Sequence, residues 1–249
     1  MYTHLVKHPK NRAGILIALA GIFFLGFVLA PSAEAKTKHS SSKHSSSKKS
    51  GKSRSHGSTP PPVKKYWAPV RNFTTVVVDA GHGGHDRGGI FGQKIPEKPY
   101  TLEVARRLAG YLRNAGFRVV MTRSDDTFIS LPERTRISGA QANAIFVSVH
   151  FNSAVFSGGH GFETYYYAPN AQPLAARIQR RLMQNLPSTE NRGVKFRGYY
   201  VLRNNRLPAV LAECGFLTNP YEARIITQKS FLDRIAKAIA QAVIEQRNS

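Results

Sequence analysis

The sequence predicts an α/β domain: a mostly parallel sheet of about six strands with helices on both faces. Three observations carry that expectation. Short apolar runs rich in β-branched residues recur along the chain. Segments with apolar residues at helical spacing separate them. Glycine and proline mark the junctions, and strands that alternate with helices pack as a parallel, covered sheet. Residues 71–249 are long enough for one such domain with a substantial buried interior.

The elements follow in order. Thr75–Val78 is the first strand, and it stops at Asp79, Gly81, His82, Gly83 and Gly84. Glycines at a strand end let the backbone turn tightly and approach a ligand closely. A loop through Ile95, Pro96, Glu97 and Lys98 leads to a helix opened by Pro99 and running to Asn114. Its stripe of Leu102, Ala105, Leu108, Ala109 and Leu112 has helical period, and Gly116 stops it. Phe117–Met121 reads as the second strand. Ser130-Leu-Pro-Glu133 is a capping box that starts a helix to Ala142. Ala144–His150 is the third strand and Gly161–Tyr167 the fourth. Asn170 is expected to cap a helix over Ala171–Leu186. Tyr199–Leu202 and Ala209–Glu213 read as two more strands, and the chain from Tyr221 is helical with a break near Lys229. No internal repeat is present.

Ahead of this domain lie two segments of different character. Lys7, Lys10 and Arg12 precede an apolar run from Ala13 to Ala30, and small residues follow at Ala33 and Ala35. That order of charged, apolar and small-residue regions predicts a signal peptide over residues 1–35, exporting the chain to the periplasm or cell envelope. An uncleaved membrane anchor is the competing reading, since the 18 apolar residues reach the lower limit of a span. Residues 36–70 read as a disordered basic linker rich in Ser, Lys, His and Pro. Its stretch 36–65 holds nine Lys or Arg and no acid. His39, His44 and His56 are a candidate metal tract there, against the plainer reading of a solvated linker with no fixed geometry. Residues 66–249 carry 24 basic and 13 acidic residues, so the folded part is basic too. Such charge favours an anionic polymer or lipid surface as partner. Cys214 is the one cysteine, which excludes an intrachain disulfide.

Polar groups stand at three strand ends: His82, His150 and Glu213. Glu97 lies just ahead of the first helix. Parallel strands of one sheet bring their C-terminal ends to a common edge, where such folds bind ligands. Two imidazoles and a carboxylate suit one catalytic Zn2+ ion with an open fourth position. A further carboxylate is then available as general base. These residues lie far apart in the sequence, so spacing alone favours a plain α/β domain with polar strand ends over a metal site.

The motifs Asp79-x-Gly-His-Gly-Gly84, Glu97-Lys98, Leu102-x-x-Ala-Arg-Arg-Leu108, Thr122-Arg123, Ser148-x-His-x-Asn152 and Pro208-Ala-Val-Leu-x-Glu-x-Gly-Phe-Leu-Thr-Asn-Pro220 occur in this order. Together they resemble the zinc-dependent N-acetylmuramoyl-L-alanine amidases of the Amidase_3 type. The resemblance implies a sandwich of three layers around a mixed, twisted sheet. It implies His82, Glu97 and His150 as zinc ligands and Glu213 as the catalytic residue. It further implies cleavage of the amide between the lactyl group of N-acetylmuramic acid and L-alanine of the peptidoglycan stem peptide. A monomer with no nucleic-acid partner is expected. No long insert separates His150 from Glu213, so a site open without an activator is expected.

Other residues have two readings. Asp79 is a candidate carboxylate behind a ligating imidazole, or the cap of the turn. Glu163 is a candidate of the same kind on its strand. Asn152, Arg123 and Arg203 are candidates for meeting substrate carboxylates, since arginine offers a planar two-pronged donor. His85 and Asp86 read as loop residues beside the site rather than as a fourth ligand and its orienter. His160 reads as loop. Cys214 reads as a small buried thiol rather than a nucleophile, and Tyr165–Tyr167 as strand packing. Two further activities stay open: a zinc peptidase acting on stem peptides, and a non-catalytic basic module that binds the envelope.

Overall fold

The computed structural model describes residues 70–249, apart from Phe91, Ser157, Pro187 and Ser188. The expected signal peptide, and all of the linker up to residue 69, lie outside the described residues. Six strands form one sheet: β1 Thr75–Ala80, β2 Arg118–Met121, β3 Ala144–Asn152, β4 Phe162–Tyr166, β5 Asn191–Phe196 and β6 Ala209–Phe216. Their order is β2-β1-β3-β6-β4-β5. The first four in that order are mutually parallel. β4 runs antiparallel to β6, and β5 follows β4. The sheet is therefore mixed, as the resemblance implied.

Alternation along the strands assigns two faces. Val76, Val78, Ile145, Val147, Val210 and Ala212 belong to the larger core cluster. They pack beneath α1 (Lys98–Asn114), α3 (Gln172–Asn185) and α6 (Lys229–Arg247). The buried stripe of α1 is Thr101, Val104, Ala105, Leu108, Ala109 and Leu112. Each large apolar side chain so covered contributes about 1.5–3 kcal/mol. The opposite face carries a smaller cluster of Val77, Phe146, Tyr165, Val201, Leu202, Ala209 and Leu211, beside α4 (Tyr200–Arg203). α2 (Leu131–Gly139) packs on α4. This second layer is short. It leaves the C-terminal ends of β1, β3 and β6 open, and by alternation Asp79, Ser148, His150 and Glu213 fall on that face.

Three expectations need correction. Tyr199–Leu202 does not form a strand. Tyr200–Arg203 is a single helical turn whose Val201 and Leu202 are buried in the smaller cluster, a tertiary demand that overrides β propensity. β5 was not anticipated, because Asn-Arg-Gly-Val-Lys-Phe has no apolar run; as an edge strand it is buried only in part. Asn170 does not cap α3. It lies in a 3-10 turn, Pro169–Ala171, and the residue before α3 is Ala171 with no side-chain cap. The break near Lys229 is real, and separates α5 (Pro220–Ile226) from α6.

Candidate metal and catalytic site

The first ligand candidate is set by a strained turn. β1 ends at Ala80, and His82 follows with φ 60°, a left-handed conformation unusual for a residue with a side chain. Gly83 continues at φ 130°, and a Cβ there would lie 2.2 Å from the Thr127 carbonyl oxygen. The turn closes through Gly83 N–H to Asp86 O at 3.0 Å and the reciprocal bond at 3.1 Å. That closure brings the Asp86 carboxylate back onto His82 Nδ1 at 2.8 Å. With Nδ1 so engaged, Nε2 faces inward and meets Glu97 Oε2 at 3.0 Å.

Glu97 stands just before α1, where the approach of Gly88 leaves no room for a side chain: a Cβ at 88 would lie 2.5 Å from Glu97 Cβ. Its other oxygen, Oε1, meets His150 Nδ1 at 2.9 Å and accepts from Phe151 N–H at 2.8 Å. His150 comes from β3, and the two imidazoles sit edge to face with centroids 4.8 Å apart. One ligand atom from each of His82, Glu97 and His150 lies within 4.8 Å of the others, close enough to hold a metal ion. Glu97 is buried, and burial alone raises a carboxyl. Hydrogen bonds from His150 and His82 outweigh it and hold Glu97 well below the usual range. Burial likewise works to lower His82, but Glu97 and Asp86 prevail and raise it.

Glu213 is the register partner of His150 on β6. It lines the same cavity, of about 600 Å³, as His82, Glu97 and His150. Its Oε2 is sealed from solvent and has no hydrogen-bond partner. Burial, then the charges of Glu97 and Glu163, push its pKa well above the ordinary carboxylate value. An orphaned buried carboxylate oxygen, next to two imidazoles and a second carboxylate, is an arrangement that a divalent cation satisfies. The residues present fit a zinc ion with an open position.

The remaining candidates divide. Asn152 lines the cavity, and its Nδ2 donates to Glu163 Oε1 at 2.5 Å. Glu163 pairs in register with Glu213 across β4 and β6. It also accepts from Tyr165 Oη at 2.6 Å and Arg192 Nε at 3.1 Å, and pairs with Lys195. Asp79 touches neither imidazole. It accepts from Thr122 Oγ1 at 2.6 Å, Ser148 Oγ at 2.6 Å and Arg134 Nη1 at 2.7 Å. The carboxylate behind His82 is Asp86, one of the two residues read from sequence as loop. Its signal was the His-x-x-x-Asp spacing inside a glycine turn. Arg123 is buried and faces no ligand. Its donors go to the carbonyls of Ala80, Gly81, Lys98 and Asp125, so it holds the turn rather than a substrate. Arg203 is exposed, over Tyr200 at 5.9 Å, outside the lining of the cavity. His85 stacks on Phe128, His160 pairs with Glu190, and Cys214 is buried. Arg134 was missed altogether: it donates to Asp79 and to the carbonyls of Ala80 and His82 at 2.6–2.7 Å.

Gly81 gives a sharp test of the ligand geometry. Its backbone suits any residue, but an added Cβ would fall 2.3 Å from His150 Cε1 and 2.4 Å from Nε2. Gly81→Ala should therefore displace the ring and weaken metal binding about 10–100-fold, read by competition with a chromophoric chelator. Unchanged affinity would place His150 outside the ligand set.

Residues 76–245 match the Amidase_3 family, N-acetylmuramoyl-L-alanine amidase. The chain is 37% identical over 174 residues to the N-acetylmuramoyl-L-alanine amidase LytC of Bacillus subtilis, a match covering 68% of this chain and 35% of that protein. It is 31% identical over 196 residues to the germination-specific N-acetylmuramoyl-L-alanine amidase of the same organism, covering 72% of this chain and 82% of the relative. The crystal structure of an N-acetylmuramoyl-L-alanine amidase from Clostridium difficile 630 superposes with a TM-score of 0.65 at 33% identity, over 70% of this chain and 96% of that one.

Proposed function

The chain belongs to the Amidase_3 family of N-acetylmuramoyl-L-alanine amidases, and from that premise we propose that it hydrolyses the amide joining the lactyl group of N-acetylmuramic acid to L-alanine in peptidoglycan. The observation that carries this reading is the convergence of His82, Glu97 and His150 beside the unpartnered Oε2 of Glu213. His82 through Nε2, Glu97 and His150 would hold one zinc ion. Bound there, the ion supplies Lewis acidity, polarising the scissile carbonyl and acidifying water to a pKa of roughly 7.

The protein supplies the rest. Asp86 fixes the tautomer and orientation of His82. Glu213 takes the proton of the attacking water and returns it to the departing nitrogen of alanine, the work of a positioned general base and acid. Glu163 steadies Asn152 at the cavity wall. Exposed Phe128 and Leu131 present apolar surface at the mouth of the same cavity. The same reading puts the chain outside the cytoplasmic membrane, supported by the charged, apolar and small-residue order of residues 7–35. The basic linker then has anionic envelope polymers or lipid to meet.

Digestion of purified peptidoglycan tests the reaction. Free peptides beginning with alanine are expected, and a chelator should abolish their release. Cuts between later stem residues would replace this reading with a peptidase. Absence of any cleavage, in zinc-loaded protein, would leave an envelope-binding module.

A further inference from the structure

A second cavity, of about 770 Å³, adjoins the catalytic one. Ile90 lines both. The wall between them is the contact of Ser153 Oγ with Gln93 Oε1 at 2.6 Å, Ser153 facing the catalytic side and Gln93 the other. The floor is apolar, from Ile95, Leu217 and Ala223, with Val155 standing almost fully exposed at the edge. Its lining includes two cations, Lys94 and Arg224, and no acidic residue. Both cations are exposed, and neither has a carboxylate partner among the described residues. Arg224 lies 5.7 Å over the Tyr221 ring, which steadies its guanidinium without neutralising it. The catalytic cavity is the reverse. Its one arginine, Arg134, is paired with Asp79, and its remaining charged lining comprises Asp86, Glu97, Glu213 and the two imidazoles.

We propose that this second cavity binds the peptide portion of the substrate, an acidic peptide with short alkyl side chains, on the side of the departing amine. The inference rests on the amidase reading and deepens it. An acidic chain leaving the scissile amide finds no unpaired arginine or lysine in the lining of the catalytic cavity, where Arg134 is held by Asp79. Across the Ser153–Gln93 wall, Lys94 and Arg224 offer positive charge in the lining of the second cavity. Carboxylates of the peptide meet these two donors, the guanidinium offering a two-pronged fit. The alkyl groups lie on Ile95, Leu217 and Ala223.

The test separates binding from turnover. Dissociation constants of L-alanyl-D-glutamate, and of the same peptide with its carboxylates amidated, are measured on the zinc-loaded full chain and on its Lys94→Glu/Arg224→Glu variant. A hydrogen bond to a charged partner is worth about tenfold in affinity. The variant should lose at least tenfold for the acidic peptide, and the amidated peptide should bind the parent as weakly as the variant binds the acidic one. On peptidoglycan the variant should raise KM with kcat kept. Lys237→Glu, an exposed charge on α6, should leave both constants unchanged. Equal affinity for both peptides, or equal weakening by Lys237→Glu, would overturn the assignment. Absence of peptidoglycan cleavage by the parent chain is a different result: it would overturn the amidase reading itself.

Discussion

Replacing Glu213 with glutamine should lower turnover of peptidoglycan by about 10²–10⁴-fold, the range a positioned general acid and base supplies, while zinc content stays at one ion per chain. Glutamine keeps the shape and one acceptor oxygen but takes no proton at neutral pH. The three ligand candidates come from other elements, so none is disturbed. The folded protein should not suffer. Burial, reinforced by Glu97 and Glu163, raises the Glu213 carboxyl above its ordinary value of 4.5. A buried acid with a raised pKa is most favourable to folding while protonated, at low pH. Its contribution is lost as pH rises above 4.5, because the unfolded chain then ionises it more readily. In the metal-free chain at neutral pH, the neutral glutamine should therefore raise Tm. Peptide release within tenfold of the parent, measured beside metal analysis of the same sample, would remove Glu213 from the chemistry.

Arg134→Ala should destabilise the domain by about 3–5 kcal/mol, the usual consequence of stripping one member from a buried ion pair. In a domain of this size that lowers Tm by about 6–20 °C. Arg134 and Asp79 are both almost fully buried, 2.7 Å apart. The guanidinium also holds the carbonyls of Ala80 and His82, so the strained turn loses its anchor with the charge. Lysine should not rescue it, because one ammonium cannot reach those acceptors in the planar arrangement of a guanidinium. Burial works to raise Asp79, but Arg134, Ser148 and Thr122 hold it below its ordinary value of 3.8. The stabilisation is then complete above about pH 4 and fades as pH falls below it. Denaturant unfolding of parent and variant across pH 3–7 reads both effects. A loss under about 1 kcal/mol at neutral pH would mean that the pair is dispensable.

Much of this was legible in the sequence, for reasons specific to each element. The runs forming β1 and β3 are buried on both faces, so they read as continuous apolar stretches. α1 shows its buried stripe at helical spacing. β5 was invisible because an edge strand with Gly193 in it has little side chain to bury. Tyr199–Leu202 misled because aromatic and β-branched residues suit a strand, while one buried turn of helix used them instead. The quartet His82, Glu97, His150 and Glu213 emerged from the order of its motifs, not from spacing, since the fold gathers it from four separate elements. Arg134 was hidden for the opposite reason. It is one arginine in a polar helix, and only the third dimension brings it under β1.

The antiparallel docking of β4 on β6 has a consequence for how such a chain tolerates insertions and deletions. Glu163 lies level with Glu213 because their two strands, running in opposite directions, are aligned residue for residue. A slip of a single position would turn Glu163 to the far side of the sheet and bring Phe162 or Thr164 in its place. The five residues of β4 are a ruler, and any change in their count would be felt at Glu213 one strand away.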